Sequence, residues 1–341
     1  MPNLRTKHKI ITTGQLNAMA LETSNNHRAR RNCPCNTCKA IRDKTKCKNP
    51  HKCQLAARKI VSTLNPKWNP NTEYPNDNLD LTPRRIKANK EAEVLNNPIT
   101  FNPKISTTRV KHIFRIFARE RDKSPEPATR EADPDPDTTQ EVIIVYTDGA
   151  CNNNGDENAQ AGSGIWYGEG DIRNRALRVP GPTQTNQTGE LYAILVVIKT
   201  TPQNRQMLIK SDSKYAIDGL TKYIDEWEDK GWIGVSNAPL FKTIAAWLRR
   251  RASKTTFQWV KGHSGEAGNE EADKLAKEGA SLPEIEDIDL SIPPRFNLKG
   301  AKLATMSQST LYKGILLEKK KKARPGTRAN TLIQLDITRW V

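Results

Sequence analysis

The sequence predicts an α/β domain in residues 141–280, and three observations support this class. Residues 142–146 (Val-Ile-Ile-Val-Tyr) form an unbroken apolar run, which is typical of a buried central strand. Residues 207–209 form a second short apolar run, and residues 186–200 carry apolar side chains at helical spacing. Short apolar runs that alternate with helical segments indicate a sheet covered by helices.

The elements of this domain are predicted in chain order from the same patterns. Strands are expected at 142–148, about 162–169, about 172–179, 206–211 and 255–260. Helices are expected at 186–200, 213–229, 239–252 and 266–279.

Carboxylates occur where these elements end or begin. Asp148 and Asp212 follow two of the strands, and Glu190 lies about one turn into a helix. In an open α/β sheet, strand ends and adjacent helix starts converge on one crevice. Carboxylates that close repel unless a divalent cation joins them, and oxygen ligands suit Mg²⁺ or Mn²⁺. For Asp148 alone a simple turn is the alternative, because Gly149 follows it and Asp-Gly is a strong turn pair.

Five motifs in residues 142–280 resemble those of type 1 ribonuclease H, and they occur in the order and spacing of that family. They are Thr147–Gly155 (TDGACNNNG), Thr185–Leu191 (TNQTGEL), Ser211–Tyr215 (SDSKY), Trp259–Gly265 (WVKGHSG) and Gly268–Ala276 (GNEEADKLA). The resemblance implies a ribonuclease H-like fold, with a mixed five-stranded sheet and helices on both faces.

The resemblance also implies an activity, namely metal-dependent endonucleolytic cleavage of the RNA strand of RNA/DNA hybrids. Two Mg²⁺ ions, which Mn²⁺ can replace, are expected on Asp148, Glu190, Asp212 and Asp273. His263 is expected to shuttle a proton near the leaving group, a role that suits an imidazole because it titrates near neutrality.

Substrate contacts are implied in the same way. The loop containing Cys151, Asn152 and Asn153 is expected to contact RNA 2′-hydroxyls, the groups that distinguish RNA from DNA. Asn186 and Gln187 are expected to contact base edges in the minor groove, although one of the two could instead cap the helix. The remaining expected contacts are the phosphate-binding Thr185 and Asn237, then Ser213, and the aromatic surface of Tyr223, Trp227 and Trp232.

Three residues depart from the family pattern. Thr183 stands where an arginine usually helps to hold a DNA phosphate, and Glu228 and Asp229 replace lysines after Trp227. These carboxylates are expected to repel phosphate. They support a rival interpretation, in which the chain is a catalytically weak or inactive retroelement-derived protein that only binds nucleic acid.

The net charge of +17 is unevenly distributed. Residues 1–100 contain 19 Lys and Arg against 7 Asp and Glu, residues 101–140 contain 8 against 7, residues 141–280 contain 17 against 18, and residues 281–341 contain 11 against 6. Basic flanks on a neutral domain favour a nucleic acid as partner; simple solubility of a disordered tail is the alternative.

Five of the six cysteines lie between residues 33 and 53. Cys35-x-x-Cys38 has a zinc-knuckle spacing, and Cys47 with Cys53 or His51 would complete a tetrahedral set. The sequence therefore suggests a structural Zn²⁺ on Cys35, Cys38, Cys47 and Cys53, with chance clustering as the alternative. Whether such a module binds nucleic acid or protein stays open.

The flanks are predicted as a basic, largely irregular N-terminal region (1–121), a Pro- and Asp-rich linker (122–140) and a basic helical tail (281–341). Within them we expect a helix at 54–64, a loop at 66–100, a strand or short amphipathic helix at 107–121, and a helix at 301–318. The cysteine cluster and the tail resemble the surroundings of the ribonuclease H domain in fungal non-LTR retrotransposon polyproteins.

Neither a membrane span nor a secretion signal is apparent in the sequence. An intracellular location, in nucleus or cytoplasm, is therefore expected, with mitochondrial import left open by the basic start. The sequence leaves the oligomeric state undetermined.

Overall fold

The computed structural model describes residues 2–22, 24–64, 69–71, 81–95, 97–103, 115–118, 141–283, 288–293 and 296–322. The elements before residue 141 are α1 (Pro2–Thr6), α2 (Thr13–Leu21), α3 (Asn36–Thr45), α4 (Pro50–Ser62), α5 (Pro83–Leu95), β1 (Ile99–Thr100) and β2 (Arg115–Ile116). The α/β domain contains β3 (Ile143–Asn152), β4 (Gln160–Trp166), β5 (Arg175–Arg178), α6 (Asn186–Thr200), β6 (Met207–Ser211), α7 (Lys214–Asp218), a π-helical turn (Gly219–Tyr223), α8 (Ile224–Asp229), α9 (Ala238–Arg250), β7 (Thr255–Trp259) and α10 (Ala267–Ser281). The tail contains β8 (Ala301–Lys302), a short 3₁₀ turn (Leu303–Thr305) and α11 (Gln308–Lys322).

The predicted mixed sheet is confirmed, but its strand count is wrong. The described residues form a six-stranded sheet in the order β1-β7-β6-β3-β4-β5, in which β6 runs parallel to both β3 and β7. The extra strand is β1, which pairs antiparallel with β7 and comes from the stretch predicted as a loop. It is retained because Phe101, buried in the domain core, follows it and donates its N–H to Thr255 O (2.9 Å).

Helices cover both faces of the sheet, as predicted, and glycines allow their close approach. A Cβ on Gly149 would lie 2.2 Å from Glu190 N of α6, and one on Gly164 would lie 1.9 Å from Ala272 O of α10. Gly149 and Gly164 point to opposite faces, because Gly164 is paired with Asp148, the neighbour of Gly149 in β3. The start of α6 and the middle of α10 therefore contact β3 and β4 directly, and this contact brings their carboxylates toward Asp148.

The N-terminal region is not largely irregular, because α1–α4 pack around an apolar core of their own. Leu16, Met19, Ile41, Ala57 and Ile60 are among its buried members. The helix predicted at 54–64 begins earlier, at Pro50, where the Asn49 side chain accepts a hydrogen bond from Lys52 N. The loop predicted at 66–100 also contains α5. We call residues 2–64 the N-terminal module.

The structure does not bring Cys35, Cys38, Cys47 and Cys53 together, so that predicted zinc set is wrong. Cys35 and Cys38 lie at the start of α3, whereas Cys47 follows its end. A ten-residue helix rises about 15 Å, which separates the two pairs. Among the described residues the donor groups are instead His27, Cys33, Cys35 and Cys38, and separately His8, Cys47 and Cys53.

The tail differs from the single helix predicted at 301–318. Its first residues form β8, which pairs antiparallel with β2, and the helix α11 starts only at Gln308. Residues 115 and 116, within the stretch predicted as strand or helix, are thus a strand. The predicted linker 122–140 and the tail beyond residue 322 lie outside the described residues. Within the described residues, no helix is long and apolar enough to cross a membrane.

Candidate active site

Asp148 and Asp212 lie where two parallel strands separate. Tyr146 of β3 is aligned with Lys210 of β6, and each aspartate lies two residues further along. β3 does not end at Asp148, because its pairing with β4 continues to Asn152. The interpretation of Asp148 as part of a simple turn is therefore wrong, and both carboxylates occupy the crevice that the topology predicts.

Glu190 reaches this crevice from α6. Thr185 is the N-cap of that helix, and its hydroxyl accepts a hydrogen bond from Thr188 N (3.1 Å). Ser213 is buried, caps α7 through Ala216 N (3.1 Å) and donates its hydroxyl proton to Glu190 Oε2. The structure thus places Ser213, predicted as a substrate contact, where it orients a carboxylate.

Asp212 is oriented by a residue to which the sequence assigned no role. Asn269, only 3% exposed, donates from Nδ2 to Asp212 Oδ2 (3.2 Å), and its own Oδ1 has no hydrogen-bond partner among the described residues. On the other side, a Cβ on Gly262 would lie 2.5 Å from the same Oδ2. Asn269 lies within the GNEEADKLA motif, but its burial beside Asp212 depends on how α10 packs.

The electrostatics of the crevice disfavour several negative charges together. Burial raises the pKa of Asp148 to about 8, and the nearby charges of Asp212, Asp273 and Glu190 add to this effect. Burial, then the charge of Asp212, raises the pKa of Glu190 to about 7. Clustered carboxylate oxygens whose negative charges repel one another suit binding of a hard divalent cation such as Mg²⁺. These four carboxylates are therefore the residues that could hold one.

Asp273 and His263 complete the predicted catalytic set from α10 and the loop before it. Asp273 Oδ2 accepts a hydrogen bond from Lys277 Nζ (2.6 Å), one turn along the helix. His263 is exposed in the loop between β7 and α10 and has a φ of +51°. It directly follows Gly262, which packs on Asp212, so its backbone lies beside the carboxylates.

Comparison with known proteins identifies the family of the α/β domain. A family profile described as RNase H matches residues 140–281. Ribonuclease H from Alcanivorax borkumensis is 38% identical over 146 residues, which cover 40% of this chain and 90% of that protein. The chain belongs to the ribonuclease H family.

Other relatives are matched over part of their length. Human ribonuclease H1 is 37% identical over 149 residues, which are 42% of this chain and 52% of that protein. The chain thus spans about half the length of the human relative. Among solved structures, a type 1 RNase H with the type 2 active-site motif matches 51% of this chain and 86% of its own, at 24% identity and a TM-score of 0.32.

Several predicted substrate residues of the ribonuclease H domain lie near the end of β3 and the start of α6. Asn152 and Asn153 are exposed and Cys151 is half-buried, while Asn186 and Gln187 are exposed in the first turn of α6. Because Thr185 caps this helix, neither of those two amides is used as its N-cap. The Asn186 carbonyl packs over Gly149, so the predicted substrate residues at the start of α6 lie close to those at the end of β3, beside Asp148.

The predicted aromatic surface is only partly available. Trp227 stacks on Tyr223 (ring centroids 5.7 Å apart) and meets Phe241 of the core edge-on (4.9 Å), so Trp227 is half-buried against the core. Tyr223 is 38% exposed, and Trp232 is half-buried beside Trp227. Asn237 donates its amide to the Tyr215 hydroxyl (3.2 Å) at the start of α9.

The expectation that Glu228 and Asp229 repel phosphate is wrong. Glu228 is 4% exposed, and both of its oxygens pair with Arg249 of α9 (Nη2 to Oε2, 2.8 Å). Asp229 pairs with Lys302 of β8. Their charges are neutralised inside the fold, one of them by a residue of the basic tail.

Proposed function

We propose that the ribonuclease H domain is an endonuclease that hydrolyses the RNA strand of RNA/DNA hybrids with two Mg²⁺ ions, leaving 3′-hydroxyl and 5′-phosphate ends. The observation that carries the proposal is the close approach of four carboxylates, Asp148, Glu190, Asp212 and Asp273, in one crevice of a ribonuclease H domain. When bound, such ions supply a polarised water and stabilise the leaving oxygen. Mn²⁺ would serve the same donor set.

The residues of the candidate site have two proposed roles, metal binding and orientation of the metal ligands. Asp148, Glu190, Asp212 and Asp273 would hold the ions, while Ser213 and Asn269 orient Glu190 and Asp212 through their hydrogen bonds. Preorganised ligands matter because a misplacement of about 1 Å can cost roughly a hundredfold in rate.

Recognition of the hybrid rests on the neighbouring surface. Asn152 and Asn153, which are exposed, and the half-buried Cys151 would contact 2′-hydroxyls, while the exposed Asn186 and Gln187 would contact base edges in the minor groove. Thr185 and Asn237 would hold a DNA phosphate without help from an arginine, because Thr183 occupies that position. A retroelement origin stays a prediction.

The direct test incubates the full chain with a labelled RNA/DNA hybrid in Mg²⁺, beside RNA/RNA and DNA/DNA duplexes of the same sequence. Cleavage confined to the RNA of the hybrid, and lost in EDTA, is expected. Binding of the hybrid with no cleavage in Mg²⁺ or Mn²⁺ would favour the rival interpretation. That rival has lost part of its support, since Glu228 and Asp229 are already paired.

Replacement of His263 by Ala should slow cleavage by about a hundredfold, because a positioned proton donor contributes at least that factor. Mg²⁺ dependence should be unchanged, because His263 is not among the proposed ligands. Single-turnover rates across a Mg²⁺ series measure both quantities, with Ser264→Ala as a control in the same exposed loop. A wild-type rate for His263→Ala would refute the proton-shuttle role.

The basic N-terminal module is proposed to add phosphate contacts. Residues 1–64 contain 14 Lys and Arg against 2 Asp and Glu. Deleting these residues leaves β1 and β2, which pair with the domain and with its tail, in place. The deletion should weaken hybrid binding and flatten the dependence of log Kd on log salt, because fewer counterions are released. Equal salt slopes for the two proteins would count against this role.

A further inference from the structure

Four donor atoms of the N-terminal module converge on one point. His27 Nδ1 lies 3.6 Å from Cys33 Sγ, 3.6 Å from Cys35 Sγ and 3.4 Å from Cys38 Sγ. All four atoms lie within 4.8 Å of one another. Zn–S bonds of about 2.3 Å and Zn–N bonds of about 2.0–2.1 Å at tetrahedral angles would separate sulfur from nitrogen by about 3.6 Å. The three observed nitrogen–sulfur distances therefore match those of a tetrahedral site with three sulfurs and one nitrogen.

A contact between His27 and His51 is compatible with the His27 tautomer that such a site requires. His27 Nε2 lies 2.9 Å from His51 Nδ1, at the start of α4. If Nε2 carries the proton and donates it to His51, then Nδ1 has a free lone pair directed at the three sulfurs. His51, considered as a ligand in the sequence interpretation, thus becomes a positioning residue.

Backbone N–H groups support negative charge on the sulfurs. Arg28 N donates to Cys33 Sγ (3.1 Å), and Cys38 N donates to Cys35 Sγ (3.4 Å). Cys35 is also the N-cap of α3, where the positive end of the helix dipole favours a thiolate.

Simple burial of apolar thiols does not explain this arrangement. Cys33, Cys35 and Cys38 are at most 6% exposed, yet they form a cluster of their own, apart from the apolar core that α1–α4 share. A single disulfide would leave the third sulfur without a partner, and all three are free cysteines.

We propose that His27, Cys33, Cys35 and Cys38 bind one Zn²⁺ ion in a closed, structural site. Three thiolates and one imidazole in tetrahedral arrangement select Zn²⁺ over harder cations. The ion joins the loop before α3 to α3 itself, and through His51 it reaches α4. Its binding energy therefore contributes directly to folding of the N-terminal module.

The test measures zinc in the full chain after dialysis against metal-free buffer, by elemental analysis. Cys33→Ser/Cys38→Ser should contain one equivalent less zinc than wild type, whatever the His8, Cys47 and Cys53 group binds. Cys151→Ser, which removes the cysteine outside both groups, should keep the wild-type content. Equal zinc content in wild type and the double variant would overturn the proposal.

A second measurement uses the wild-type chain, so that it does not depend on whether the double variant folds. Metal-free wild-type chain titrated with Co²⁺ should develop the intense visible bands of a tetrahedral cobalt–thiolate centre. His51→Leu, which removes only the positioning hydrogen bond, should weaken Zn²⁺ binding by about 10–100-fold in competition with a chelator. A weak octahedral cobalt spectrum from the wild-type chain would overturn the proposal. An unchanged affinity for Zn²⁺ in His51→Leu would overturn the positioning role of His51.

Discussion

Replacing Asp148 by Asn is expected to reduce hybrid cleavage by at least about a thousandfold, which corresponds to roughly 4 kcal/mol of activation free energy. The carboxylate is 7% exposed and central to the proposed ion site, and a neutral amide cannot replace its charge on a divalent cation. Single-turnover cleavage in saturating Mg²⁺ measures the loss. Glu278→Gln is the matched control, because Glu278 is an exposed carboxylate on α10, the helix that carries Asp273.

The same variant should be more stable than wild type without metal, and the difference should grow with pH. Folding raises the pKa of Asp148 to about 8 from its usual 3.8, so the folded state binds this proton more tightly than the unfolded state does. Between about pH 4 and pH 8 the group therefore lowers stability progressively as pH rises. The neutral amide of the Asp148→Asn variant carries no such penalty.

Thermal unfolding in EDTA at pH 5 and pH 8 tests this linkage. Asp148→Asn should melt higher than wild type at pH 8 and closer to it at pH 5, while still binding the hybrid. A melting temperature of Asp148→Asn below that of wild type at pH 8 would show that the charged Asp148 carboxylate does not destabilise the folded state. If Asp148→Asn loses cleavage because the variant is unfolded, the lost activity would not support a catalytic role for Asp148.

Breaking the Glu228–Arg249 pair is expected to give the second large effect, a loss of about 3–5 kcal/mol in the free energy of unfolding for Arg249→Met. The cost arises because Glu228 would stay buried without its bidentate partner between α8 and α9. Urea unfolding of the full chain measures it. The double variant Glu228→Gln/Arg249→Met should recover part of the loss, because it removes the stranded charge.

An exposed pair on the same segment provides the control. Lys230 pairs with Glu226 at the surface, so Lys230→Met should change stability by less than about 1 kcal/mol. Similar effects from Lys230→Met and Arg249→Met would contradict the assignment of Glu228 as a buried structural carboxylate.

The α/β domain and its catalytic motifs were predictable because their signals are local. The apolar run at 142–146 and the periodicity of 186–200 correspond to β3 and α6, and most predicted elements of the domain occur with ends shifted by a few residues. The helix predicted at 213–229 is instead divided into α7 and α8 by the π-helical turn Gly219–Tyr223. Short motifs identify the carboxylates, and Asp148 lies beside Asp212 as expected, although β3 continues to Asn152 instead of ending at Asp148.

The flanks were predicted less well, because their structure depends on contacts between distant residues. β1 exists through its pairing with β7, more than 150 residues further along the chain, and no local pattern marks a two-residue edge strand. The zinc ligands predicted from the sequence include Cys47 and Cys53 instead of His27 and Cys33. Spacing along the chain cannot show that the ten residues of α3 hold two cysteine pairs apart.

The sequence by itself therefore determined the fold class, the family motifs and the carboxylates of the candidate site, since backbone propensity and side-chain identity act locally. Only the tertiary structure decided what surrounds each charged group. It paired Glu228 with Arg249, set Asn269 against Asp212 and gathered His27 with three thiols. Desolvation and Coulomb energies depend on distances between packed elements, so the role of a charged residue is settled when those elements meet.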